Sequence, residues 1–241
     1  MNPRRTLATA GRVLRQIRHD PRTIVLLVVV PSLLLGLVAW LFDETAVFAA
    51  IGPAMLGLFP FITMFLVTSI ATLRERRSGT LERLLSLPLG KFDFLLGYAL
   101  AFGLLAVLQA GVAVAFSVGV LGLEVEGELW LLVVVAVADA LLGTALGLLA
   151  SAFARTEFQV VQFMPAFVFP QVLLGGVLLP RDSMPDALHA ISNVLPLSYA
   201  VDALRGVATA ADDVGLDLAV LLTFAAAAII LGALTLRRRT A

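Results

Sequence analysis

Asp139 is the only ionisable residue deep inside any long apolar stretch of this 241-residue sequence. Such a residue is expensive in a membrane and is a functional candidate by default. Asp139, Gly143 and Gly147 fall at i, i+4 and i+8, on one face of a helix. Gly143 and Gly147 form a GxxxG, which promotes close helix approach. Asp139 therefore reads as polar packing at a helix interface, as lining of a cavity, or as a proton relay of a secondary carrier. A carrier would normally show more polar residues at mid-membrane depth. Gln109, Gln159, Gln162 and Gln171 are the other polar side chains of interest. Gln159 and Gln162 lie three apart, where they face either a substrate path or a neighbouring helix. Phe163, Phe167 and Phe169 thicken the same stretch. Other chemistries are poorly served. There are no cysteines and only two histidines, His19 and His189, at opposite ends of the expected fold. No metal cluster or Ser–His pair converges within the apolar stretches, which argues against a membrane-embedded enzyme. The sole lysine, Lys91, follows Gly90, but Leu85 and Phe92 break the G-x-x-x-x-G-K-[ST] pattern. This sequence has no phosphate-binding loop of that kind, no metal site and no catalytic residues to name.

The elements that must hold these residues are membrane spans. The sequence is 60% hydrophobic and 14% charged, against about 45–50% and about 25% in a soluble domain. Its mean hydropathy is +1.01. A spanning helix needs roughly 20 mostly apolar residues. Six stretches qualify: 23–42, 45–73, 94–123, 129–154, 158–180 and 218–236. The second and third are long enough to tilt, kink or protrude. Internal prolines are tolerable where neighbouring helices satisfy the freed carbonyls.

The 17 Lys and Arg residues are segregated along the chain. They cluster in the first 23 residues, in the 74–91 segment, at Arg155 and at Arg237–Arg239. Arg181 and Arg205 alone fall on the other side, which collects most of the acids. Basic loops favour the cytoplasm, so the pattern predicts six spans with both termini cytoplasmic, in the plasma membrane. Trp40 and Trp130 then sit at outer ends of spans, where aromatic belts form. The first apolar run is longer than a signal-peptide core of about 7–15 residues, and no small-residue cleavage pattern follows it. It reads as an uncleaved span.

Two segments outside the spans carry a helical pattern. In residues 1–22, Leu7, Ala10, Leu14 and Ile17 recur at helical spacing, with Val13 beside them and arginines mostly off the stripe. A basic amphipathic helix of this kind lies in the membrane surface, and Pro21 separates it from the first span. In the 74–91 segment, Leu81, Leu84 and Leu85 fall at i, i+3 and i+4, and Pro88 follows. That predicts a helix of about two turns over 80–87. Glu82 suits its N-terminal dipole. Its leucines would anchor in a partner's groove and its charges would fix orientation.

"RERRSGTLERLLSLPLGKFDFLLG" resembles the segment after the second span in permease subunits of type-2 ABC transporters, including multidrug exporters of the daunorubicin kind. The pattern there is a charged stretch, Gly-Thr-Leu-Glu, a leucine pair, a proline and entry into span three. Ser78 departs from it, standing where an acid or Arg often precedes the glycine. "GGVLLPRDSMPDALHAISNVLPLSYAVDALRG" is similar to the family's outer segment between spans five and six. Gly175, Gly176, Pro180, Pro185, Pro196, Tyr199, Asp202 and Arg205 carry that likeness. Spans and both signatures together cover nearly the whole chain.

The resemblance implies an all-α membrane protein, one transmembrane domain over 1–241. It has six spans, an interfacial helix in 1–22, a cytoplasmic coupling helix within 74–91, and outer re-entrant helices within 180–217. It implies a dimer of permease subunits, each docked on an ABC ATP-binding subunit that binds ATP and magnesium. Thr80, Leu81, Glu82, Arg83, Leu84 and Leu85 would form the coupling helix. Gly175, Gly176, Pro196, Tyr199, Asp202 and Arg205 would belong to the outer gate. The expected partners are that ATPase, a second permease subunit, membrane lipid and a small amphiphilic cargo, with no nucleic acid. A polysaccharide or glycolipid exporter is the nearest alternative. A proton-coupled carrier using Asp139 is the alternative from a different class.

Overall fold

In the computed structural model, residues 3–42, 45–77, 91–210 and 214–235 are described. Among them are nine α-helices, one 3-10 turn and no strand. The helices are α1 (Pro3–Arg18), α2 (Pro21–Leu41), α3 (Thr45–Arg77), α4 (Lys91–Gly119), α5 (Leu129–Phe153), α6 (Glu157–Leu174), α7 (Asp186–Ser192), α8 (Pro196–Ala208) and α9 (Gly215–Thr235). The 3-10 turn is Arg181–Ser183. Six of these helices, α2 to α6 and α9, are long and apolar enough to cross a membrane. The expected coupling helix falls at 80–87, outside the described residues.

Around α5 the bundle is organised. It is the most deeply buried span, and its side chains enter three separate core clusters. It runs parallel to α3 at a constant register. A Cβ added at Gly143 would stand 2.6 Å from the Phe61 carbonyl oxygen, and one at Gly147 would stand 2.6 Å from that of Phe65. One turn earlier, a Cβ added at Gly57 would lie 3.6 Å from Asp139 Oδ2. Each step is four residues on both helices. Only a glycine Cα–H can face a carbonyl at that separation, a contact that recurs at close helix interfaces. Spans α2 and α6 are the least buried, and many of their apolar side chains face outward.

Helix α1 lies across α4. Its protein-facing side is Thr6, Thr9, Ala10, Val13 and Ile17, whereas Leu7 is 64% exposed. The face packed on the protein thus shares Ala10 and Ile17 with the Leu7–Ala10–Leu14–Ile17 stripe and leaves Leu7 outward. The reason lies at Gly97, where a Cβ would be 2.6 Å from Thr9 Cβ and 3.0 Å from the Thr6 carbonyl oxygen. Backbones this close admit threonines and exclude leucines. Between α1 and α2, Asp20 caps the first span. Its carboxylate accepts from the Thr23 amide at 3.4 Å and the Thr23 hydroxyl at 2.7 Å, with Pro21 in the first turn.

The fifth span is shorter than expected. It ends at Leu174 rather than at 180, because Gly175 caps it and Gly176 takes φ +81°, which an L side chain rarely adopts. The chain then turns back through the 3-10 turn and α7 into α8. Helix α8 packs against α3, α5 and α9. The loop after α4 is tied to its end: the Glu126 and Gly127 amides donate to the carbonyls of Ala208 and Val207, at 2.9 and 3.0 Å.

Gly143→Ala is expected to part α3 from α5 and cost about 1–3 kcal/mol. Gly111→Ala is the control, since nothing lies within 4 Å of a Cβ there. Unfolding titrations in mixed micelles check this: Gly143→Ala should lower the midpoint and Gly111→Ala should not.

Candidate functional site

Three polar assemblies are spread along the bundle. The first joins the ends of the spans nearest α1. Arg12 on α1 donates to Glu75 on α3 at 2.5 Å and to the Tyr98 hydroxyl on α4 at 3.1 Å. Its guanidinium also lies 5.9 Å from the centre of the Tyr98 ring. Arg74 holds Glu157, at the start of α6, through two bonds of 2.8 and 3.1 Å. Arg76 donates to the Ser151 carbonyl on α5. Three consecutive residues of α3 thus reach three different helices. A helix presents consecutive side chains about 100° apart, so the last turn of one helix can address α6, α1 and α5 together. These contacts lie immediately before residues 78–90.

The second assembly is the α3–α5 seam. Asp139 is fully buried, and neither carboxylate oxygen has a hydrogen-bond partner among the described residues. It faces Gly57 on α3, beside the point where Leu204 of α8 closes in. One further polar link ties α3 to α4: Gln109 Nε2 donates to Thr63 Oγ1 at 2.5 Å, and Thr63 donates to the Phe59 carbonyl at 2.9 Å. An unpartnered buried carboxyl is a costly group. Here it sits in a close-packed seam, with Gly57 facing it.

The third assembly is at the opposite end, and Arg181 is its centre. Arg181 Nε donates to Ser192 Oγ at 2.9 Å. Its two terminal nitrogens donate to Asp202 and Asn193. The guanidinium lies 5.4 Å from the centre of the Tyr199 ring, and the Tyr199 hydroxyl donates to the Asn193 carbonyl at 2.8 Å. One planar fork therefore fastens the 3-10 turn, α7 and α8 together, a task lysine's point charge does poorly. Burial pushes the Asp202 carboxyl above the usual carboxylate range, against the pull of Arg181. Burial also lowers Arg205, whose guanidinium donates to the Val177 carbonyl at 3.4 Å. A Cβ at Gly176 would lie 3.4 Å from Arg181 Cγ and 3.6 Å from Arg205 Nη1, so its bare backbone makes room for both. Helix α8 has no side-chain cap of its own. Gln171 of α6 supplies one, accepting from the Leu197 amide at 3.1 Å. Pro196 takes the first turn, where its missing N–H costs nothing.

The far-end segment brings together Gly175, Gly176, Pro196, Tyr199, Asp202 and Arg205 as one region. Asp139 is in the seam. Gln159 accepts from the Arg155 amide at 2.8 Å, and its own amide donates to Thr156 Oγ1 at 3.1 Å. That is helix capping at the start of α6, and the Thr156-x-x-Gln159 spacing signals it in the sequence. Gln162 is on the exposed face of α6. Thr80, Leu81, Glu82, Arg83, Leu84 and Leu85 lie outside the described residues. Sequence reasoning missed Arg181 as a hub, along with Ser192, Asn193 and the capping role of Gln171. Nothing in the spacing signals them, because the contacts span 11 to 26 residues.

The model of the family described as ABC-2 type transporter matches residues 5–208. The chain is 29% identical over 150 residues to the probable multidrug ABC transporter permease YbhR of Escherichia coli. That match covers 62% of this chain and 41% of YbhR. It is 30% identical over 141 residues to the probable multidrug ABC transporter permease YbhS of the same organism, covering 58% and 37%. It is 27% identical over 157 residues to ABC transporter G family member 20 of Dictyostelium discoideum, covering 65% and 22%. The matched stretches thus cover less than half the length of each of these relatives.

Replacing Arg181 with lysine keeps the charge and removes the fork. The expected loss is about 1–3 kcal/mol of local stability. Hydrogen exchange should read it as faster amide exchange across 186–199, with the α3–α5 amides unchanged.

Proposed function

The chain belongs to the ABC-2 type transporter family, and from that premise we propose that it is the membrane-spanning permease of an ATP-driven exporter. Energy comes from an ATP-binding subunit, which supplies ATP and magnesium binding, and a second permease subunit completes the transport unit. The cargo is an amphiphile of drug-like or lipid-like character that leaves across the plasma membrane. The observation that carries this reading is the family match over 5–208 on a six-span bundle. The two relatives named as multidrug permeases support the cargo class.

The end of the bundle that holds α1 faces the cytoplasm, since the basic segments gather there. Residues 80–87 are the coupling helix, with Glu82, Arg83 and Leu84 meeting the ATPase. The contacts at the end of α3 explain how a push there would spread. Arg74, Glu75 and Arg76 would hand it to α6, α1 and α5 at once. At the other end, the Arg181-centred segment acts as the re-entrant outer gate, with Gly175, Gly176, Pro196, Tyr199, Asp202 and Arg205 in its frame. Gln162, exposed on α6, is the polar residue best placed for the cargo path. Asp139 serves packing of α5 on α3 in this scheme, facing Gly57 in the row that Gly143 and Gly147 continue.

Glu82→Arg and Leu84→Asp test the coupling assignment. Each should weaken co-purification with the ATP-binding subunit and cut ATP-driven transport by about tenfold or more. If both assembly and transport survive both substitutions, the assignment fails.

A further inference from the structure

Where α1 crosses α4, an apolar groove of about 360 Å³ opens between Pro3, Thr6 and Leu7 on one side and Leu96 and Leu100 on the other. Gly97 creates it. Its bare backbone lets Thr6 and Thr9 come down on α4, and the outward Leu7 is left standing over the neighbouring leucines. The volume is that of about a dozen waters. Thr6 is the one polar residue in this lining, and water needs two or more polar partners to stay. The groove continues along the span. Leu96, Leu100, Leu104 and Leu108 follow at four-residue steps on one ridge of α4, and the last three are exposed. From Leu96 to Leu108 the ridge rises about 18 Å, against about 15 Å for half the hydrocarbon core of a bilayer. That is the reach of one acyl chain. Helix α1 is amphipathic and lies outside the spans, so the groove sits where lipid headgroups meet acyl chains.

Size and charge together choose the occupant. Five lining residues are too few for a protein partner, which takes about 20–30 on each side. From Arg4 to Arg22 the chain carries six arginines and a single carboxylate, Asp20. Arg4 is exposed and lies one turn before Leu7, at the mouth of the groove. Arg15 and Arg18 are exposed on the same outward face of α1 and form no ion pair among the described residues. An arginine offers five donors in a planar fork that matches a phosphate. We propose that the groove seats one anionic phospholipid of the leaflet on which α1 lies. One acyl chain passes between Leu7 and the pair Leu96 and Leu100, then runs on over Leu104 and Leu108. The phosphate rests on Arg4, within the field of Arg15 and Arg18. A cationic head would be repelled by the same arginines, and a zwitterionic head would bring its own cation among them. The seated lipid bridges α1 and α4, adding to the Arg12–Tyr98 bond that joins the same two helices. Neither ATP nor cargo takes part in this site.

The test uses the full chain in nanodiscs of equal parts dioleoylphosphatidylglycerol and dioleoylphosphatidylcholine, released into native mass spectrometry. One phosphatidylglycerol per chain should stay bound, favoured over phosphatidylcholine by about tenfold. Arg4→Gln removes the charge at the mouth and should lower that preference about fivefold. Leu100→Trp fills the groove from an exposed position and should abolish the retained lipid. Leu33→Trp, the same change at a similarly exposed leucine of α2, should leave it in place. Thermal unfolding of each variant checks that the fold is kept. Equal retention of phosphatidylcholine overturns the proposal, as does a parent that retains no lipid. So does an Arg4→Gln preference within about twofold of the parent, or retention that survives Leu100→Trp. A two-chain mass that Leu100→Trp splits would give the groove to a second copy of the chain, and would overturn it as well.

Discussion

Gly143 and Gly147 let α5 lie almost backbone to backbone against α3, and the rest of the bundle is arranged around that contact. In a bilayer, burying apolar side chains between helices gains little, because lipid tails are equally apolar. Association must come from close packing and polar contacts. Two glycines set against the Phe61 and Phe65 carbonyls supply the first. The constant four-residue step fixes rotation and register as well as distance. Asp139 sits in the same row, one turn before Gly143. Its cost is carried by the seam, and the seam in turn leaves no room for it to move.

From this axis the two ends of the molecule take different forms. Near α1, the last turn of α3 spreads three charged side chains to three helices. At the opposite end a single guanidinium gathers a turn and two short helices. Both arrangements use arginine's planar fork to hold pieces that apolar packing would not order. In the proposed transport scheme the α1 end would distribute force and the far end would serve as a cover. The span ends between them are linked by α5, which enters all three cores.

Much of this was legible in the residues. Hydropathy located the six spans within a few residues, except where Gly175 and Gly176 cut the fifth one short. The Asp139–Gly143–Gly147 face follows from spacing alone, because four residues make nearly one helical turn. The face of α1 that packs on α4 was not legible, because the close approach beside Gly97 favours the small Thr6 and Thr9, and that is known only once two helices meet. Arg181 was hidden for the same reason. Its partners at 192, 193 and 202 form no local pattern, and an arginine between a proline and an aspartate looks like an ordinary loop residue. Gln159 takes part in a local cap that the Thr156 spacing already encoded.

The central claim is that work enters this chain from an ATP-hydrolysing partner. Proteoliposomes holding the chain with its ATP-binding subunit, loaded with a fluorescent amphiphile, test it most directly. The account predicts accumulation that requires hydrolysable ATP and both subunits and persists when the pH gradient is collapsed. Accumulation driven by a pH gradient in vesicles containing this chain alone, and lost in Asp139→Asn, would contradict it.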